Sequence, residues 1–229
     1  PELGYGKSKD VVDHLGLERL AVAAKGGAIK RPSDGKEVKS VVFVQCAGQR
    51  DPSGKHLPYC SGSCCNTSIK QAMYFKDANP DVDTVVIYTD LRTPGNGEDF
   101  YRSAQKKGVI FTKGQVSEVT TAGALEVKFK DLILNEDAVA KADLVVLATG
   151  QVPNSGVNID LKDEAVDPNK PQPISILNLT YRQGKDLPQL KFGFSDSHFI
   201  CFPYETRRTG IYTAGPVRRP MDIVQAMED

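Results

Sequence analysis

The sequence has little that would attract a polyanion or enter a membrane. Its 29 Lys and Arg residues balance 29 Asp and Glu residues, so the zero net charge favours neither nucleic acid nor an anionic membrane as a partner. The longest apolar runs are of strand length, far short of the roughly 20 residues that span a bilayer. No signal peptide is visible, and we expect a cytoplasmic protein or a subunit peripheral to a membrane complex.

Residues for hydrolytic catalysis are also scarce. The chain has three histidines, and neither a Ser/His/Asp arrangement nor an acid–base pair stands out. Five cysteines are too few for a disulfide-rich secreted scaffold. The chain opens with Pro1 and stops at Asp229 inside an expected helix, so we expect a fragment of a longer protein. These absences favour electron transfer over hydrolysis.

Alternating strands and helices dominate the pattern from residue 39 onward. β-Branched and aromatic runs predict buried strands, and amphipathic stretches between them predict helices. The predicted strands cover 40–44, 84–88, 109–111, 115–120 paired with 124–129 as a hairpin, 144–147 and 210–215. The predicted helices cover 10–24, 63–76, 98–107 and a stretch from about 220. This order predicts an α/β fold with an open, mostly parallel sheet.

A glycine-rich phosphate loop is missing where a dinucleotide-binding unit would have one. In such a unit the first strand runs into Gly-x-Gly-x-x-Gly, because the pyrophosphate must approach bare backbone at a helix N-terminus. Here the strand at 40–44 is followed by Gln45-Cys46-Ala47-Gly48-Gln49-Arg50-Asp51, which keeps one glycine and adds bulky polar side chains. NAD(P)H is therefore not expected at this site.

Four of the five cysteines lie close together in the sequence. Cys46, Cys60, Cys64 and Cys65 follow the spacing Cys-x13-Cys-x3-Cys-Cys. The first comes directly after a predicted strand. The others lie at the start of a predicted helix, where backbone N–H groups and the helix dipole stabilise thiolates and lower thiol pKa values. Four thiolates at the carboxyl end of a parallel strand favour a [4Fe–4S] site.

The spacing alone leaves other interpretations of the cysteines open. A structural zinc site also needs four ligands, although the usual Cys-x2-Cys knuckles are absent. A dithiol/disulfide redox site and buried, unligated thiols are further alternatives. Cys201 stands apart in Phe199-Ile200-Cys201-Phe202, and its apolar neighbours predict a packed, inert thiol.

The chain resembles the flavoprotein (A) component of heterodisulfide reductase and its relatives, which include flavoprotein subunits of the quinone-interacting membrane-bound oxidoreductase (Qmo) complex. The segments that carry the resemblance are Gly4-Tyr5-Gly6-Lys7 with Leu17-Glu18-Arg19, residues 43–51, and Tyr59-Cys60-Ser61 leading to Cys64-Cys65. The resemblance covers nearly the whole chain, and segment 199–209 is more similar to the Qmo branch. It implies that Cys46, Cys60, Cys64 and Cys65 are ligands of a [4Fe–4S] cluster.

The wider framework is similar to thioredoxin reductase-like flavoproteins. This similarity implies an entry segment at 1–38, an inserted NAD(P)-binding-like domain at 39–142 that carries the cysteines, and the closing half of an FAD-binding domain at 143–229. Segments 147–154 and 210–215 are similar to the returning strand and the late motif of the FAD domain. The residues expected near FAD are Thr149, Gly150, Gly215 and Pro216, and Pro216 stands where these flavoproteins carry Asp.

The resemblance implies an electron relay within a multi-subunit redox complex. FAD and the cluster would exchange electrons, and another subunit would receive them. We expect an oxidoreductase whose isolated fragment is inactive. The rival interpretations are an NAD(P)H-dependent disulfide reductase that uses Cys60 with Cys64 or Cys65, and a zinc-stapled scaffold subunit without catalysis.

Overall fold

The chain forms two compact units that meet in sequence at Gly150. The computed structural model describes residues 3–153, 155, 188–190 and 192–229. The first unit comprises Pro1–Gly150 and the second comprises Gln151–Asp229. Asn154, at the end of the predicted returning segment 147–154, lies outside the described residues. The domain boundaries at 38/39 and 142/143 stay predictions.

A seven-stranded sheet lies at the centre of the first unit. Its strands are β1 (Val11–Asp13), β2 (Ser40–Val44), β3 (Asp83–Tyr88), β4 (Ile110–Thr120), β5 (Leu125–Asp131), β6 (Asp137–Ala142) and β7 (Leu144–Leu147). Their order across the sheet is β1-β7-β2-β3-β4-β5-β6. The first five in this order are parallel to their neighbours, and β5 and β6 continue as antiparallel strands. The predicted α/β fold with a mostly parallel sheet is confirmed.

Both faces of the parallel strands are covered. The helices of this unit are α1 (His14–Ala24), α2 (Cys64–Ala78) and α3 (Gly97–Lys106). All three contribute to one core, in which Phe43 of β2 meets Phe75 of α2 edge to face with ring centroids 6.3 Å apart. Alternate strand residues such as Val44 and Leu147 point to a second core shared with Phe129 of β5. Burial on both sides explains the unbroken apolar sequences of β2 and β7.

The structure differs from the sequence predictions at both edges of the sheet. The first residues of the helix expected at 10–24 form the strand β1 instead. Asp13 then caps α1, because its carboxylate accepts the N–H of Gly16 at 2.7 Å. β6 is an additional edge strand, and the short strand expected at 109–111 runs on through Thr120 in one long β4. Edge strands bury less surface than central ones, so their sequences carry a weaker hydrophobic pattern.

The strand predicted at 210–215 is wrong. In the described residues of the second unit, this segment pairs only through Tyr212, which forms an isolated bridge with Glu205. Gly210 and Gly215 have φ values of 86° and 71°, and these left-handed conformations interrupt the extended chain at both ends. Gly215–Val217 instead form a 3₁₀ turn.

The helix expected from about 220 is present as α4 (Ile223–Glu228). It begins with a capping box, in which the Asp222 carboxylate accepts the N–H of Gln225 at 2.8 Å. Among the described residues, no helix is long and apolar enough to cross a bilayer.

His14 makes the stability of the first unit depend on pH. Its Nε2 lies 2.8 Å from Ser68 Oγ and links α1 to α2, and burial lowers its pKa from 6.5 to about 4. The unfolded chain binds a proton at His14 more readily than the folded chain does. The free energy of unfolding is therefore highest above pH 6.5 and falls as the pH drops toward 4. We expect a loss of about 2.5 kcal/mol between pH 7 and 4.5.

Urea unfolding at several pH values checks this expectation. His14→Gln should remove most of the loss that the histidine causes, whereas His198→Gln, at an exposed histidine, should keep the wild-type pH dependence. An unchanged pH dependence in His14→Gln would show that other groups cause it.

Candidate metal centre

The chain turns sharply where β2 ends. The N–H of Gln45 still donates to Ile87 O at 3.0 Å, so this residue continues the pairing with β3. Cys46 then adopts a left-handed conformation with φ 56°, and Gly48 follows with φ 75°. Ala47 reaches the end of β7 through a hydrogen bond from its N–H to Ala148 O at 3.1 Å. The turn therefore places Cys46 at the carboxyl edge of the parallel strands, as predicted.

Helix α2 supplies two adjacent cysteines from its first turn. Cys64 and Cys65 are the first residues of the helix, and Ser63 precedes them as a cap without a side-chain hydrogen bond. Cys60 lies in the loop before the helix, which turns at Gly62 with φ 70°. Cys64 and Cys65 lie at the start of a helix, as predicted. Cys60 lies before the helix, in the loop that leads into it.

The structure brings all four predicted ligands to one pocket. The pocket is lined by Gln45, Cys46, Gln49, Arg50, Cys60, Gly62, Cys64, Cys65, Asp90 and Arg92. Cys64 and Cys65 are buried, and Cys46 and Cys60 are partly exposed. The void between these side chains is about 10 Å³, which is near the size that one water molecule needs. A larger group must therefore move the cysteine side chains apart when it binds.

Each of the four sulfurs has an N–H donor. Three of these hydrogen bonds are Gly62 N to Cys60 Sγ at 3.4 Å, Gln49 Nε2 to Cys64 Sγ at 3.5 Å and Arg92 N to Cys65 Sγ at 3.4 Å. The fourth comes from the guanidinium of Arg50, which donates to Cys46. Such donors stabilise negative charge on sulfur and are typical of sites where thiolates bind iron.

Burial raises thiol pKa values in this pocket, contrary to the lowered values expected from the helix N-terminus. Desolvation raises the pKa of Cys46 and Cys64, and it raises the pKa of Cys65 to about 11. The N–H donors act in the opposite direction but are outweighed, because a buried thiolate loses its hydration. In the bare chain these thiols are therefore protonated at neutral pH.

The cysteines of the pocket do not surround a preformed site for a single metal ion. Within residues 3–153, 155, 188–190 and 192–229, no group of three or more His, Cys, Asp or Glu converges on a point that could hold one metal ion. A zinc ion needs its ligands around one centre. A [4Fe–4S] cluster offers one iron to each thiolate, so its ligands stand further apart. The four sulfurs in one pocket, each with a donor, therefore fit the cluster in ligand type and number.

Gln49 connects the segments that form the pocket. Its Oε1 accepts hydrogen bonds from the N–H and hydroxyl of Ser61, and its Nε2 donates to Ala148 O at 3.3 Å as well as to Cys64. Gly150 lies directly against this carboxamide, with φ 80° and no room for a Cβ. In the sequence, Gln49 stands out only as part of a longer motif. The signal for its role is its place in a loop that lacks the expected glycines.

The residues expected near FAD fall into both units. Thr149 is exposed at the end of the first unit. A side chain at position 150 would overlap the Gln49 carboxamide, which explains the glycine there. In the second unit, the N–H of Gly215 donates to Asp229 Oδ2 at 2.8 Å, and Pro216 has no N–H to offer. The space beside Gly215 is otherwise open. This turn therefore fits a group that packs against it, rather than one that needs its N–H.

Cys201 is exposed, which corrects the prediction of a packed thiol. His198 and Phe202 pair as an antiparallel bridge, and the residues between them project outward as a tight turn. Phe199 and Ile200 are 78% and 70% exposed, so the apolar neighbours in the sequence do not enclose the sulfur. His198 Nδ1 accepts the N–H of Cys201 at 3.2 Å and holds the turn.

Comparison with known proteins shows that the chain is similar over nearly its whole length to A-type polypeptides of heterodisulfide reductases. No family model matches the chain. It is 34% identical over 99% of its length to the A-type polypeptide of the H(2):CoB-CoM heterodisulfide,ferredoxin reductase of Methanothermobacter marburgensis. It is 36% identical over 97% of its length to the A-type iron-sulfur polypeptide of the CoB–CoM heterodisulfide reductase of Methanocaldococcus jannaschii. The chain spans 32% of the length of each of these relatives. The assignment of segment 199–209 to the Qmo branch stays a prediction.

Solved structures confirm the thioredoxin reductase-like fold. Lactococcus lactis thioredoxin reductase matches 100% of this chain and 56% of its own, with a TM-score of 0.55 at 15% identity. The enzyme from T. acidophilum matches 96% of this chain and 54% of its own, with a TM-score of 0.50 at 16% identity. At these identities the likeness concerns the fold alone.

Gly150 and Gly48 offer a matched test of the Gln49 contact. Both have left-handed backbone, with φ values of 80° and 75°, but a Cβ has open space at Gly48 and would overlap the Gln49 carboxamide at Gly150. Backbone strain should cost each alanine variant about 1 kcal/mol. We expect Gly150→Ala to lose about 2 kcal/mol more, because Gln49 must leave its partners. Urea unfolding of both variants measures the difference, and equal losses would contradict the contact.

Proposed function

We propose that this chain, similar over nearly its whole length to the A-type polypeptides of heterodisulfide reductases, is an electron-transfer part of an oxidoreductase of that kind. Cys46, Cys60, Cys64 and Cys65 would hold a [4Fe–4S] cluster in the pocket at the carboxyl edge of the sheet. The observation that carries the proposal is the meeting of four cysteines in one pocket, with one N–H donor for each sulfur.

The protein residues around the pocket have separable tasks. When bound, the cluster supplies one-electron redox chemistry. The four cysteines bind it, and the N–H groups of Gly62, Arg92 and Gln49 stabilise the negative charge that the thiolates bring. Burial of Cys64 and Cys65 keeps water from two of the sulfurs. Low solvent exposure and hydrogen bonds to sulfur are the means by which a protein sets a reduction potential.

The flavin and the partner subunits belong to the same proposal. FAD would be the second redox group, and Thr149, Gly150, Gly215 and Pro216 would lie near it. The open space beside Gly215 supports this for van der Waals contact only, since its N–H is already bonded to Asp229. The relatives are named as components of heterodisulfide reductases. We therefore propose other subunits of a multi-subunit complex as partners, in the cytoplasm or peripheral to a membrane complex.

The proposal accounts for the pocket better than its rivals do. A disulfide reductase needs a thiolate as nucleophile, and burial raises the pKa of Cys64 and Cys65, so neither partner of Cys60 can take that part at neutral pH. The loop after β2 also places Gln49 and Arg50 against the cysteines, where a nicotinamide enzyme would keep bare backbone for pyrophosphate. A zinc scaffold would need the four sulfurs around a single point.

Iron and acid-labile sulfide content after anaerobic reconstitution tests the proposal. We expect about four irons and four sulfides per chain in the wild type. Cys65→Ser should lose most of both, because it removes a buried ligand. Cys201→Ser, at an exposed cysteine outside the pocket, should keep the wild-type content.

The opposite results would identify the alternatives. Stoichiometric zinc without iron uptake would support a structural metal site. A colourless protein that exchanges a disulfide in the wild type, but not in Cys60→Ser, would support the disulfide reductase, because Cys60 belongs to both of its possible pairs. Circular dichroism of each variant shows whether a loss reflects the missing ligand or a failure to fold.

A further inference from the structure

Gln45 carries the unexplained polar group of the pocket. The residue is 8% exposed, and within the described part of the chain neither Nε2 nor Oε1 of its side chain has a hydrogen-bond partner. It lines the same pocket as the four cysteines. The hydrogen bond from its N–H to Ile87 O at 3.0 Å fixes its backbone at the end of the pairing between β2 and β3. A buried amide that is left unpaired destabilises the folded chain.

Gln49 shows what a structural glutamine looks like in the same pocket. It is 5% exposed, and both of its polar atoms are bonded within the chain, to Ser61, Ala148 and Cys64. Gln45 is also buried and carries the same carboxamide, but within the described residues its side chain forms no hydrogen bond to another segment. Its carboxamide therefore has no task in the bare chain, and its position at the pocket indicates a partner that arrives with the ligand.

We infer that Gln45 donates its side-chain N–H to a sulfur atom of the group bound by the four cysteines, and so sets that group's reduction potential. The inference rests on the proposed function. Each cysteine sulfur already has a donor from Gly62, Gln49, Arg92 or Arg50. The sulfur atoms of a [4Fe–4S] cluster that would still lack a donor are its inorganic sulfides. A donor to sulfide favours the reduced form, because reduction adds negative charge.

Two variants and one control separate this role from a purely structural one. Gln45→Leu removes the amide at similar volume, and Gln45→Glu keeps the shape but removes the N–H donor. Gln105→Leu makes the same substitution as the first variant at an exposed position on α3. Each protein is reconstituted without oxygen, its iron and sulfide are counted, and its midpoint potential is measured by redox titration with electron paramagnetic resonance detection.

We expect iron and sulfide contents like the wild type in Gln45→Leu, with the reduction equilibrium shifted about tenfold toward the oxidised form, or about 59 mV for a one-electron couple. Gln45→Glu should shift in the same direction, and Gln105→Leu should not shift. In the iron-free protein, Gln45→Leu should unfold at the same or a higher urea concentration than the wild type, because it removes an unpaired buried amide.

The outcomes distinguish the inference from the function on which it rests. A wild type that takes up no iron overturns the proposed function and the inference together. A loaded wild type with the same midpoint potential as Gln45→Leu overturns the inference alone. Lower stability of iron-free Gln45→Leu, with an unchanged potential, would show that the amide has a structural partner such as bound water.

Discussion

The hydrogen bonds of the Gln49 carboxamide hold together the segments on which the cysteine pocket depends. One side chain ties the loop after β2 to Ser61, to the end of β7 at Ala148 and to Cys64 at the start of α2. These segments are far apart in sequence, and the sheet alone would leave the loops free to separate. Because the amide is buried, each of its polar atoms must be paired, and this requirement fixes the relative positions of the loops. Gly150 is bare because this amide lies against it.

The position of the pocket follows from the two-sided burial of the parallel strands. β2 and β7 are covered by helices on one face and by the core shared with β5 on the other. Polar groups can then reach solvent or a ligand only at the ends of these strands, and Cys46 lies at such an end, directly after Gln45. The same burial raises the thiol pKa values of Cys64 and Cys65, so both thiols are protonated in the bare chain and would have to lose their protons to bind any metal.

The sequence predicts the elements that are buried or punctuated locally. β2, β7 and α2 carry unbroken apolar runs or a clear helical pattern, and their predicted bounds lie close to the observed ones. The sequence pattern does not separate the short edge strand β1 from α1. β1 is defined by its pairing with β7, in which Val11 lies opposite Val145, and a contact between residues 134 positions apart leaves no signal in the local sequence. Cys201 shows the reverse error: its apolar neighbours suggest burial, but a tight turn exposes them together. For the site, the residue types identify the cysteines, whereas the pairing of each sulfur with a donor depends on loops whose approach only the fold determines.

Gln45 and Gln49 together show how far the bare chain prepares the site. They lie four positions apart (45 and 49) in one loop and line one pocket, yet one is fully bonded and the other has no partner among the described residues. The bonded glutamine holds the loops in place before any ligand is present, which lowers the cost of ordering them on binding. The unbonded one leaves a donor unused at a cost to the empty fold. This loss of stability has an explanation if the Gln45 amide donates a hydrogen bond once a ligand is bound. Natural proteins leave buried polar groups unpaired mainly at functional sites.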